Sequence, residues 1–575
     1  MLRVDRELYR LFGVKYDEAR KIGLMLMAVL IGLGAAVVAW GVLGGDLVRA
    51  VTGLVIIGLG PVMYLYPYFE LSSRIRAVES ELLPASIYAS LYATAERDML
   101  EGVYALAKES QIAPNFSKFV ENIERARVQK LLGTPHEAFA EAARVLGEGR
   151  LKSVILAMAT ARSVGVSQEL QARDILKSVL FQLKSAYQRV AENMKTLGEV
   201  VLVFYGVMPL MFLIMTSIFY SPSSAVMLAV YVALMIPLMG VALVLLVHYT
   251  HPKTPEKFIK HYKRYIYTIP ISVGVGVGAY FVLKLILGGV AASNLPNSTS
   301  VAASNFPNST SAVGGGSAVD LVNAYLVAIS LGLGLAAGLV PVAVFYLAEW
   351  RKRWGIISAL PFFTRDMAEM VKLGFSPSQA LPRLVQRRSY GRFFDALLNS
   401  VGKRLVGSSF GDAIKSEAGK APWVAAVVLN AMGEADRLGS KSEVFSEIAD
   451  TSRDLVDILK SARSALMGAV IFGIVTIVII SVLLGTVAKS MLLQIASQSA
   501  SLARADVPIP LQISLITMPK VPEVLTYTFV GAVLNALVLG VLIGKILDDN
   551  FLASAFYGAV AVVIATIAVA MSIFI

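Results

Sequence analysis

Long apolar runs alternate along this chain with polar stretches of more than a hundred residues. A membrane-spanning helix needs about 20 consecutive apolar residues. Nine runs reach that length, at 22–43, 47–68, 197–220, 225–248, 265–288, 321–348, 465–488, 524–547 and 551–575. The first is too long for the core of a cleaved signal, and a second follows at once, so it reads as a retained anchor.

The polar stretches keep a helical period. Leu131, Leu132, Ala138, Phe139, Ala142, Ala143 and Leu146 recur at helical spacing, as do Val424, Val427, Val428, Ala431, Met432 and Ala435. Thr134-Pro135-His136-Glu137 has the form of a capping box with proline at the first helical position, and Ser376-Pro377-Ser378-Gln379 repeats it. Strand-like alternation is missing. The pattern predicts an all-α polytopic membrane protein with about nine transmembrane helices and two helical-bundle domains of five or six short helices each.

Charge orients the spans. Lys and Arg concentrate in short cytosolic loops. Residues 1–21 carry Arg3, Arg6, Arg10, Lys15, Arg20 and Lys21; the loop 249–264 carries Lys253, Lys257, Lys260, Lys263 and Arg264; the loop 289–320 carries none. The expected layout has a cytosolic N-terminus (1–21), two spans (22–68) and a first cytosolic domain (69–196). Two spans (197–248), a basic cytosolic loop (249–264), a span (265–288) and an external loop (289–320) follow. A span (321–348), a second cytosolic domain (349–464), a span (465–488), an external loop (489–523) and two final spans (524–575) complete it. The protein is thus expected in the cell membrane, multi-pass. The formal charge of +12 reads as an inside-facing charge drawn to anionic lipid. No aromatic stacking platform or reading motif accompanies it, so no nucleic-acid partner is expected.

The external loop contains AASNLPNSTSVAASNFPNSTSAVGGGS, low-complexity sequence with sequons at Asn297 and Asn308, which are candidate N-glycosylation sites. A longer repeat underlies the rest. Lys118-Phe119 aligns with Arg392-Phe393, Gly133 with Gly407, Met158 with Met432, Gly165 with Gly439 and Glu169 with Glu443, every pair 274 positions apart. On this reading the copies are homologous, each with an even number of spans, and so have parallel orientation.

Candidate chemistry is sparse. With no cysteine, thiolate metal sites and thiol nucleophiles are excluded. The nearest approach to a phosphate loop, Gly433 to Gly439-Ser440-Lys441-Ser442, has the wrong glycine spacing and Ser440 where lysine belongs. His248, His251 and His261 lack acidic or thiol companions for a metal site. No catalytic residue, metal or cofactor is expected.

Two helical domains in tandem, each followed by a hydrophobic pair, resemble the type II secretion system F family, the inner-membrane platform proteins of secretion systems and type IV pili. The family's most recognisable stretch is a Gly-Glu followed by a glycine late in each domain. The second copy has Gly433-Glu434-Ala435-Asp436-Arg437-Leu438-Gly439; the first has Ala159-Thr160 and keeps Gly165. The span number and the external loop resemble the archaeal branch, where the platform serves archaella and other type IV filaments. The resemblance implies a non-enzymatic scaffold. Its implied partners are a cytosolic hexameric ATPase, pilin or archaellin subunits and membrane lipids, and a homodimer is open. Arg387, Arg388 and Arg392, with Glu434 and Arg437, are the candidates for the ATPase-facing surface. The alternative is a secondary transporter built from parallel repeats, which would place ionisable residues at mid-membrane depth.

The absence of native cysteine makes topology directly measurable. Asn305→Cys and Gln386→Cys, each alone, are expected to react with an impermeant thiol reagent from opposite faces of sealed vesicles. Labelling of both from one face contradicts the layout.

Overall fold

A computed structural model describes the chain from Arg6 to Ile573, except residues 45–52, 55, 59, 110, 131, 162–166, 219–221, 252–264, 266, 294–314, 440, 505–519 and 549. The described residues are almost wholly helical and contain no strand. Eight helices among them are long and apolar enough to cross a membrane. The ninth expected span, 47–68, falls largely outside the described residues; its last part is a 3-10 turn at Gly60–Leu65 followed by a helix from Tyr66. The sequons at Asn297 and Asn308 also lie outside them.

The chain divides into two compact units. One comprises Met1–Ala186, Pro252–Glu256 and Arg351–Lys460; the other comprises Tyr187–His251, Lys257–Trp350 and Ser461–Ile575.

The first unit opens with α1 (Arg6–Leu11) and α2 (Tyr16–Leu43). Six helices follow: α3 (Tyr66–Ser80), α4 (Leu82–Thr94), α5 (Met99–Ala107), α6 (Pro114–Gln129), α7 (Pro135–Val145) and α8 (Arg150–Thr160). Then comes the long α9 (Gln168–Val201). Its second copy is made by the end of α14 (Gly315–Lys372), α15 (Pro377–Arg387), α16 (Arg392–Arg404), α17 (Phe410–Ala418), α18 (Trp423–Arg437) and the start of α19 (Ser442–Val482).

Local chemistry sets these boundaries. The Thr134 hydroxyl accepts from Glu137 N at 3.3 Å while Glu137 Oε2 accepts from Gly133 N at 3.1 Å, closing the expected box around α7. At Ser376 the expectation fails: the residue stands at the N-cap of α15, but its side chain accepts no capping bond, and Gln379 N bonds the Ser376 carbonyl instead. A Ser409–Asp412 box caps α17.

The copies are not spaced evenly by 274. The N-caps Asp98 and Ser376 lie 278 residues apart, as do the starts of α6 and α16. The N-caps Thr134 and Ser409 lie 275 apart, and the starts of α9 and α19 lie 274 apart. The ungapped pairing of Lys118-Phe119 with Arg392-Phe393 is therefore one helical turn out of step. Buried Phe116, Phe119, Val120 and Ile123 correspond instead to buried Phe394, Leu397, Leu398 and Val401. A slip of four residues preserves an apolar stripe, so periodicity alone cannot detect it. The left-handed residues agree with the longer spacing. Gly374 (φ 91°) ends the helical run in α14, and Glu96 (φ 62°), 278 residues earlier, ends α4. Arg97 N and Phe375 N then close matching bonds to Tyr92 O and Met370 O.

The second unit contains the remaining apolar helices. From α9 the chain passes through a π-helical turn, Leu202–Val207, into α10 (Met208–Ile218). Next come α11 (Pro222–Val230), a second π turn (Tyr231–Met235), α12 (Ile236–Thr250) and α13 (Thr268–Ser293). After α19 a third π turn (Leu483–Val487) leads to α20 (Ala488–Arg504), so the loop expected from 489 begins as helix. The hairpin α21 (Val521–Asp548) and α22 (Phe551–Met571) closes the unit.

Small residues set the closest approaches here. A Cβ on Gly540 would stand 2.6 Å from Tyr557 O, and one on Gly544 would stand 2.5 Å from Ser554 Cα. Gly334 and Gly338 meet α13 at Ser272 and Thr268. The α13 partner is Gly276, whereas Gly274 and Gly278, the expected packing pair, face open space.

Polar contacts fix which helix ends lie together. Arg463 Nη1 reaches Asp548 Oδ1 at 3.4 Å, and its guanidinium sits 4.8 Å from the Trp350 ring. Tyr346 donates to Asp548, and Tyr265 to the Phe551 carbonyl. Lys489 Nζ donates to Ser572 O at 2.8 Å. Residues 265, 346, 463 and 548 thus share one end of the bundle, with 489 and 572 at another.

Gly544→Leu drives a side chain into the α22 backbone and is expected to destabilise the purified protein by about 1–3 kcal/mol, the usual cost of overpacking. Gly274→Leu is the control and is expected to leave the unfolding midpoint in detergent unchanged. Equal effects would contradict the packing.

Candidate functional site

Helix α4 is buried from Leu82 to Ala93 without a break, and α18 is buried from Val424 to Ala435. A helix that is apolar all round must be enclosed. These two enclose each other: the first copy presents α4 and the second presents α18.

At their contact sits Glu434, only 5% exposed. Its Oε1 accepts from the Tyr92 hydroxyl of the first copy at 2.9 Å. Its Oε2 accepts from Arg437 Nη1 at 3.2 Å and lies 3.7 Å from Lys415 Nζ. Lys415 also pairs with Glu109 of the first copy at 2.5 Å, and Glu109 accepts from Tyr88 at 3.2 Å. The path Tyr92–Glu434–Lys415–Glu109–Tyr88 thus crosses the joint twice. Tyr88 and Tyr92 lie four residues apart on one face of α4. Burial and the neighbouring carboxylates hold both phenols well above their ordinary pKa, so both remain donors at neutral pH.

A second carboxylate closes the joint nearby. Glu447 of α19 accepts from Ser90 Oγ at 2.5 Å and Thr94 Oγ1 at 3.3 Å, and Arg173 Nε approaches it at 3.4 Å. Trp423 Nε1 donates to Ile112 O at 2.9 Å. The Lys441–Glu96 pair at 3.0 Å is exposed on both sides and contributes little.

Gly433 has a steric role. A Cβ there would stand 3.0 Å from Gly411 Cα, and one on Gly411 would stand 2.8 Å from Gly433 O. Helices α17 and α18 therefore touch backbone to backbone. In the first copy these places hold Ala159 and His136, and the His136 Nδ1 faces Ala159 O at 3.2 Å. Thr160, in the place of Glu434, bonds its own helix at Leu156 O. Gly439 (φ 61°) ends α18 in the left-handed conformation that glycine tolerates. Gly165 lies outside the described residues.

Residues 363–488 match the family described as Type II secretion system (T2SS), protein F. The chain carries a domain of the type II secretion system F family. The matched residues run from the end of α14 through α18 and α19, so the buried Glu434 belongs to the F domain. Members of the family are non-catalytic membrane platforms of secretion and type IV pilus systems. With its long apolar helices, the chain is a multi-pass membrane protein. No curated protein and no solved structure matches the chain.

The sequence candidates separate in the F domain. Glu434 and Arg437 meet at the joint. Arg387, Arg388 and Arg392 lie apart from it, exposed at the end of α15 and the start of α16. Arg388 Nη1 donates to Asp366 at 3.2 Å. Tyr88, Tyr92, Glu109, Lys415 and Glu447 escaped sequence reasoning, because their partners lie hundreds of residues away. The available signal was the unbroken apolar run of α4, too short to span a membrane.

Glu434→Gln removes a buried carboxylate from charged donors and is expected to cost about 1–3 kcal/mol, within the range for charged hydrogen bonds. Arg387→Gln, an exposed change, is expected to stay within about 0.5 kcal/mol of wild type. Unfolding midpoints in detergent measure both; a silent Glu434→Gln contradicts the joint.

Proposed function

We propose that this chain is the membrane platform of a type IV filament, archaellum or pilus, or of a type II secretion-like machine. On this reading it catalyses nothing itself. It docks a cytosolic hexameric ATPase and passes the motion of that ATPase to pilin-type subunits in the bilayer. The N-terminus and both copies of the helical domain face the cytosol, and the external loop with Asn297 and Asn308 faces out.

One observation carries the docking surface. In the first copy, the surface at the end of α5 bears Glu109 and is covered by Lys415 of the second copy. The corresponding place in the second copy, 278 residues on, is Arg387, exposed beside Arg388 and Arg392. Opposite charge and exposure leave this face free for an acidic partner. Glu434 and Arg437 support it indirectly by fixing the F domain against the first copy. Long helices supply the mechanical link: α9 and α19 each run without a break from residues of the first unit into residues of the second.

The test is capture of the partner ATPase by the full-length protein in nanodiscs. Arg387→Glu with Arg388→Glu is expected to weaken capture at least tenfold and to stop filament assembly, with membrane insertion unchanged. Wild-type capture should fall as salt rises, because exposed charges are screened over about 8–10 Å. Capture that is independent of salt and of both arginines contradicts this docking surface.

A further inference from the structure

The second unit holds three π-helical turns on three separate helical runs, and they converge. A void of about 10 Å³, lined in part by Pro209, Tyr231, Val232, Ile236 and Leu484, touches the second and third turns and the residue two places beyond the first. A π turn inserts one residue and loosens the i to i+4 ladder. In a bilayer the freed carbonyls cannot turn to water.

Here side chains take them. The Tyr231 hydroxyl, in the second π turn, donates to Phe204 O in the first at 2.6 Å. The Tyr205 hydroxyl, in the first, donates to Ile236 O, just past the second, at 3.1 Å. Each turn is thus held by a tyrosine of the other. Asn535 of α21 adds a third bond, from Nδ2 to Tyr205 O at 2.6 Å. Asn535 is fully buried, and its Oδ1 has no partner. A buried orphan acceptor is costly, so the π arrangement is held but not fully satisfied.

We propose that Leu202–Val207 is a mechanical joint with two registers, π and α, and that Tyr231 and Asn535 are the positioning residues that hold it in the π register. In the α register the carbonyls of Phe204 and Tyr205 return to their own helix. The change removes one residue from the turn, which rotates α10 against α9 by about 100° and shifts it by about 1.5 Å. A pull along α9 would thereby become a rotation among the apolar helices. The rotation serves the platform reading and rests on it; the lock itself does not.

Two measurements on the full-length protein separate these. Amide hydrogen exchange in nanodiscs reads the lock. Tyr231→Phe and Asn535→Leu, singly and together, are expected to raise exchange at residues 203–209 at least tenfold, with α22 unchanged. Unchanged exchange overturns the lock whatever the machine does. Deletion of Val203, which is exposed, removes the extra residue and should fix the α register. The deletion variant is expected to insert with normal protection and to abolish filament assembly in cells. Wild-type assembly by this variant overturns the two-register joint. If loss of the whole chain leaves assembly intact, the platform reading fails, and exchange alone decides the lock.

Discussion

A carboxylate buried between two helices is tolerated only if donors surround it, and that requirement organises the soluble half of this protein. Glu434 has Tyr92, Arg437 and Lys415 around it. Two of these come from its own copy and one from the other. Neither copy can satisfy the group alone, so the F domain is completed by its degenerate twin. The same constraint explains the asymmetry between them. The first copy gave up the glutamate for Thr160 and supplies phenols instead. It gave up the glycine contact for His136 and Ala159. It also accepts a non-glycine residue, Glu96, in the left-handed position that Gly374 fills in the second copy. Such a residue carries about 1–3 kcal/mol of strain.

The apolar unit obeys a different rule. Without water, every backbone group must find a partner inside the protein. Regular helices do so by themselves, and the glycine and serine contacts of α13, α14, α21 and α22 let them approach closely. The π turns are the exception, and they are bonded from outside. Charges are kept to the ends of the bundle, as at Arg463–Asp548 and at Lys489. That distribution suits a scaffold rather than a carrier with ionisable groups at mid-depth.

Much of this was legible in the sequence. Apolar run length located the spanning helices, because the bilayer imposes it. The Thr134 box and the Gly439 cap were legible because their chemistry is local. The register between copies was not, since a slip of one turn leaves the stripe around Phe116 or Phe394 intact. The joint was not legible either. Glu434 stood out through the family motif as a residue for an outside partner, and its distant neighbours Tyr92 and Lys415 gave no sign of meeting it. The arginines at 387, 388 and 392 did stand out, because an exposed basic cluster has no other use in a packed domain.

The claim that the copies are joined through Glu434 is tested most directly by a double-mutant cycle on Tyr92→Phe and Glu434→Gln, read as unfolding free energies of the full-length protein. The account predicts non-additivity, with a coupling of about 1 kcal/mol or more, as expected of residues in one hydrogen-bond network. Additive effects, within about 0.3–0.5 kcal/mol as found for independent sites, would contradict it.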